Sequence, residues 1–155
     1  MATDQEKSSR REVMLGTLVF GITYGVWEMM EDSATALTPT IGKSLLPMLE
    51  QRLSLKITGE KPVDVLTEVG RIFVDELGWA KGSTVTATEK AITIHLTDAM
   101  GSEQIAEMTA KGMKFFSHPV MCVGVGALTR MGVKCRPSVV ADAPAKTETI
   151  TFELL

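Results

Sequence analysis

Between Val13 and Trp27 the chain runs for 15 residues without a charged side chain, framed by "SSRRE" before it and by Glu28, Glu31 and Asp32 after it. Such a segment crosses a membrane, leads an exported chain, or lies buried in a folded protein. Crossing the hydrocarbon core as a helix takes about 20 apolar residues, so acidic side chains arrive too early for a membrane span. "SRREVML" resembles a twin-arginine leader and "SATA" at 33 to 36 a cleavage site, but the three acidic residues fall between the apolar run and that site. The remaining reading is a helix apolar nearly all round, buried on more than one side, either in a dimer interface or against an internal cavity. Gly16, Gly21 and Gly25 punctuate it and allow another backbone to approach closely.

A chain of 155 residues is long enough for one buried core and argues for a single domain. The net charge of -3, with Lys and Arg scattered, leaves no basic surface for phosphates, so no nucleic-acid partner is expected. Cys122 and Cys135 are the only cysteines, which fits neither a disulfide framework nor a cysteine-rich zinc site. A reducing, cytoplasmic setting is the simpler expectation.

The polar residues 1 to 11 read as a flexible N-terminal tail, and residues 12 to 155 as the domain. Pro39 and Pro47 bracket a second helical region whose Leu45, Leu46, Leu49 and Leu53 should face inward. "KPVDVLTEVGRIFVDELGWAKG" predicts an amphipathic helix: Pro62 suits its first turn, Leu66, Val69, Phe73 and Leu77 share one face, and Gly78 ends it. "STVTATEKAITIHLT" alternates and predicts a hairpin turning at Glu89 and Lys90, with Thr93, His95 and Thr97 on the wet face. A helix from about Ser102 to Lys111 follows. The uncharged stretch between Lys114 and Arg130 predicts a buried helix, with Ser117 as cap and Pro119 in the first turn. "VKCRPSVVA" and "TETITFELL" predict a last hairpin around "DAPAK". Runs of helices and antiparallel hairpins argue for an α+β fold, with helices packed on one face of a twisted antiparallel β-sheet.

Chemistry-bearing motifs are sparse. The Gly-x-Gly of "GVGALTRMG" lies inside a predicted helix rather than after a strand, so it fails as a dinucleotide loop. His118 stands one helical turn before Cys122, but zinc takes three or four protein ligands and nothing nearby supplies the others, so no metal is expected. No cofactor is expected either. Cys122 is either a small buried hydrophobe or a thiol activated at a helix start. Ten methionines together with Tyr24, Trp27, Phe73, Trp79, Phe115 and Phe116 permit an apolar pocket for a small organic molecule.

"VLTEVGRIFVDELGWAKGSTVT" and "HPVMCVGVGALTRMGVKCRPSVV" resemble the hydrocarbon-binding domain family named after 4-vinyl reductase, related to the small subunits of the transport-protein-particle (TRAPP) complex and to haem nitric-oxide-binding domains. The resemblance implies helices on one side of an antiparallel sheet, a homodimer, and a small hydrophobic molecule as ligand. Some members hold a metal through extra cysteines in the final hairpin, where this chain has Cys135 alone. "MCVGVGALTRMGVKCRPSVVADAPAKTETITFEL" is also similar to the second half of organic-hydroperoxide-resistance proteins. That resemblance implies a peroxidatic Cys122 with Cys135 resolving it, and needs a basic partner for the thiol.

Three readings therefore stand. The first is a non-enzymatic dimeric module that binds or senses a small hydrophobic molecule, with Tyr24, Trp27, Phe73, Trp79, Phe116, Met121 and Cys122 at the ligand. The second is a thiol-dependent peroxidase centred on Cys122. The third is a structural subunit whose apolar helices meet partner chains.

Overall fold

The computed structural model describes residues 3 to 155. Helix α1 spans Asp4–Met30, and a 3-10 turn, Glu31–Ala36, leads into α2, Leu37–Leu53. Helix α3, Pro62–Arg71, continues through one π-helical turn, Ile72–Glu76, to Gly78 with its positive φ of 60°. The hairpin of β1, Gly82–Ala87, and β2, Ala91–Thr97, comes next. Then follow α4, Ser102–Ala110, and α5, Pro119–Arg130, before the closing hairpin of β3, Cys135–Asp142, and β4, Thr147–Leu154. The four strands form one antiparallel sheet in the order β1-β2-β4-β3, so the chain has the expected α+β class.

Alternation decides which sheet face is covered. Ile92, Ile94 and Leu96 of β2 are buried with Glu148, Ile150 and Phe152 of β4, while Thr93 and His95 sit opposite Thr151 and Thr149 on the other face. Helices α3, α4 and α5 cover the buried face, and α2 packs over α5 from outside. Helix α5 is therefore sandwiched, and Val120 through Leu128 are all buried. This is possible because its glycines remove bulk at both contacts. A methyl group on Gly124 would overlap the Phe152 ring, and one on Gly126 would overlap the backbone of Gly42 in α2. A methyl on Gly42 would in turn overlap the Cys122 carbonyl oxygen.

Residues 4 to 11, read above as part of a flexible tail, form the first turns of α1, started by a capping box in which Thr3 and Glu6 bond each other's backbone N–H. Met1 and Ala2 of the predicted tail lie outside the described residues. Two expectations need correction. Ser117 does not cap α5; His118 does, its Nδ1 accepting from the Met121 N–H, while the Ser117 hydroxyl pairs with that of Thr23 in α1. Most consequential, α1 is not buried on several sides within the chain. Only a strip marked by Gly16, Phe20, Thr23 and Trp27 meets the domain, and Val13, Met14, Leu15, Leu18 and Ile22 are each at least 48% exposed. The domain meets α1 through residues 115 to 117 and through Gly101, on which Phe20 packs, and among the described residues much of the remaining apolar surface of α1 is left exposed.

The close α2–α5 crossing makes a direct prediction. Gly42→Ala or Gly126→Ala should lower unfolding free energy by about 1–3 kcal/mol or more through overpacking. Gly16→Ala, with open space above it, should raise stability by about 0.5–1 kcal/mol. Urea unfolding checks both; equal, small effects at all three positions would contradict the crossing.

Candidate functional site

The hairpin β3–β4 and helix α5 together build a buried polar cluster at the centre of the domain. Glu148 is inside because it shares strand parity with Ile150 and Phe152. It is fully buried, as is His118 at the start of α5. Since the His118 Nδ1 already accepts from the Met121 N–H, the ring proton is on Nε2, which donates to Glu148 Oε2 at 2.9 Å. Ser102, at the start of α4, donates to the Ala99 carbonyl oxygen at 3.0 Å and stands 3.2 Å from Glu148 Oε1. Each of these polar side chains has a partner, as burial requires.

One neighbouring group does not. The Trp79 indole Nε1–H is buried and has no hydrogen-bond acceptor within reach among the described residues. An unmet buried donor costs about 1–3 kcal/mol. Trp79 follows the π-helical turn and Gly78; its backbone N–H bonds the Phe73 carbonyl and its carbonyl accepts from the Met100 N–H, so the ring is held from both sides. It stands in an unbroken aromatic run. Phe20 of α1 lies 5.3 Å from Phe115, Phe115 lies 6.1 Å from His118, His118 lies 6.1 Å from Trp79, and Trp79 lies 6.2 Å from Phe73. The last three pairs meet edge to face, the arrangement that aligns ring edges with ring faces. The run leads from α1 to the buried cluster.

The predicted ligand residues divide into three groups. Phe73 and Trp79 are brought together. Phe116, Met121 and Cys122 are buried around the start of α5, with the Cys122 thiol 3.5 Å from the Phe116 carbonyl oxygen. Trp27 is half-buried against the core, whereas Tyr24 is exposed, its ring 5.6 Å from Lys111 Nζ. Two open clefts of about 240 and 200 Å³ lie elsewhere, the first beside Ile57, Val65 and Arg130, the second beside Arg71, Ser83 and Val85. None of the predicted residues lines either one. Glu148, Ser102 and Phe20 were not singled out from sequence. The signal for Glu148 was present: it occupies the buried parity of an alternating strand.

The thiols carry no activating surroundings. Burial pushes Cys122 up to about 12 and Cys135 up to about 11, and no basic side chain bonds the Cys122 sulfur among the described residues. No group of three or more His, Cys, Asp or Glu side chains forms a metal-ligand set among the described residues. Comparison of the sequence with models of protein families and with curated proteins returns no match.

The raised Cys122 thiol sets a sign for alkaline stability. Below its ordinary value of 9.0 the thiol is protonated folded and unfolded alike; between 9.0 and about 12 only the unfolded chain releases the proton. Stability should therefore fall as pH rises above 9, by up to about 1.4 kcal/mol per pH unit from this group. Cys122→Ala should be less stable at pH 8 yet show a shallower alkaline decline in urea unfolding. An unchanged slope would contradict a buried, protonated thiol.

Proposed function

We propose that the protein is a non-enzymatic, cytoplasmic domain that binds or senses a small hydrophobic molecule and acts as a dimer. The observation that carries this reading is the unmatched Trp79 indole N–H, beside His118 in an aromatic run that reaches Phe20 of α1. Aromatic surroundings favour an apolar body, and one free donor selects a single hydrogen-bond acceptor, such as a carbonyl or ether oxygen, on that body. The ligand class is thus a mainly apolar molecule with one acceptor. Because the rings are closely packed in this state, entry requires α1 to move away from Phe115. That helix is lightly held: its inner strip meets the domain through Phe20, Trp27 and the Thr23–Ser117 hydroxyl pair, with Tyr24 beside Lys111 at its edge.

The resemblance to the 4-vinyl-reductase-type hydrocarbon-binding domains supports the same reading, since both the α+β arrangement and the ligand class agree with it. The hydroperoxide-reductase alternative draws no support from the Cys122 environment, where a thiolate has neither a cation nor exposure. The structural-subunit alternative draws on the exposed face of α1, which a dimer also uses.

Native mass spectrometry of the purified protein, before and after denaturation, tests the proposal. A small-molecule mass carried by the folded protein and lost on unfolding is expected, and Trp79→Phe should reduce its retention about tenfold, the effect of one hydrogen bond in a dry site. A clean protein mass, with no gain when the denatured protein is refolded in the presence of medium-chain ketones, would overturn it.

A further inference from the structure

The outward face of α1 reads as one half of a self-complementary helix pair. Opposite the strip that meets the domain, Arg11, Met14, Leu18, Gly21, Gly25 and Glu28 recur at spacings of 3, 4, 3, 4 and 3, the repeat of a two-helix seam. Met14 is 61% and Leu18 48% exposed, and nothing lies within 4 Å of a Cβ placed at Gly21 or at half-buried Gly25. Large residues thus occupy the first half of the seam and gaps the second. On an antiparallel second copy with its two-fold between residues 19 and 20, Leu18 falls on Gly21, Met14 on Gly25 and Arg11 on Glu28. One axis satisfies all three pairs at once.

The charges agree with the volumes. Around this helix the ion pairs within the chain are Lys7 with Asp4 and Asp32 with Lys114, so Arg11 and Glu28 are left without an opposite charge among the described residues. An antiparallel partner supplies one to each. A parallel partner would set Arg11 against Arg11 and leave Gly25 facing Gly25.

We propose that α1 is the homodimer interface, two copies pairing antiparallel along Arg11, Met14, Leu18, Gly21, Gly25 and Glu28. This gives the dimer of the proposed function its contact surface and rests on that part of the reading. A lipid bilayer is the competing occupant, because an 18-residue window in this region has a mean hydropathy of 1.4 and is only 6% buried. Two observations favour the second copy. The charge-free run of 15 residues is about 22 Å long as a helix, short of the roughly 30 Å hydrocarbon core. Insertion would also tear Phe20 and Thr23 from Phe115 and Ser117.

Light scattering on the full chain, without detergent, reads the outcome. The wild type should be a dimer. Leu18→Glu should raise the dissociation constant by about tenfold or more, as expected for a central contact. Gly25→Ala, whose Cβ a single chain accommodates in open space, should weaken pairing too. Arg11→Glu and Glu28→Arg should each weaken it about two- to fivefold, and the double variant should restore it. Unchanged circular dichroism and melting of the dissociated variants confirm that the domain itself is intact. A wild-type monomer, whether or not it sediments with phosphatidylcholine–phosphatidylglycerol vesicles, overturns the proposal, and so does a dimer indifferent to all four substitutions. Ligand retention by such a protein would leave the binding reading standing, since that is read from the carried mass.

Discussion

Helix α5 has no free side. It is pressed between the sheet and α2, so every residue from Val120 to Leu128 must be apolar or small, and its polar ends must be satisfied locally. Those two requirements organise the domain. Gly124 admits the Phe152 ring from the sheet and Gly126 admits Gly42 from α2, setting the distance between layers. At the N-terminus Pro119 needs no hydrogen bond, and His118 serves one free amide through Nδ1. The other ring nitrogen then bears the proton that fixes Glu148, so capping a helix and positioning a buried carboxyl group are one event. At the other end Arg130 pairs with Glu50 of α2 at 3.0 Å and bonds the Ile57 carbonyl, tying the outer layer to the same helix.

From that anchor the site follows. His118 touches Phe115 on one side and Trp79 on the other, so the centre of the polar cluster is also a member of the aromatic run. The run continues to Phe20 on α1, which presents much of its apolar surface outward. Ligand binding under α1 and pairing through α1 would therefore act on the same element from its two faces. A ligand that shifts Phe20 would alter the seam, and a paired helix would be harder to lift, which couples occupancy to association.

Much of the architecture was legible. Alternation in "AITIHLT" and "TETITFELL" and the apolar face of "VLTEVGRIF" specified two hairpins and an amphipathic helix because local periodicity and burial agree there. The apolar runs around α1 and α5 were less decisive, since composition does not distinguish a sandwiched helix from one awaiting a partner. Val120 to Leu128 of α5 proved fully buried and Val13 to Ile22 of α1 largely exposed, from stretches equally free of charge. The cap was misassigned because a serine before His-Pro satisfies capping statistics, whereas the actual choice depended on Thr23 from a distant helix taking the Ser117 hydroxyl. The candidate site was partly legible: Trp79, Phe73 and His118 drew notice, but the pairing of His118 with Glu148 spans 30 residues and two elements. The π-helical turn that sets Phe73 beside Trp79 leaves no simple sequence mark.

The central claim is that the Trp79 indole donor is matched only when a small apolar molecule is bound. With Trp27→Phe, Trp79 becomes the single tryptophan, and its Nε1–H resonance in nitrogen-15-labelled protein can be followed without ambiguity. Comparing protein as purified with protein refolded after solvent extraction should show a downfield shift of that proton in the loaded form and its reversal in the extracted form. An identical resonance in both, with a small molecule shown to be carried by one and absent from the other, would contradict the account.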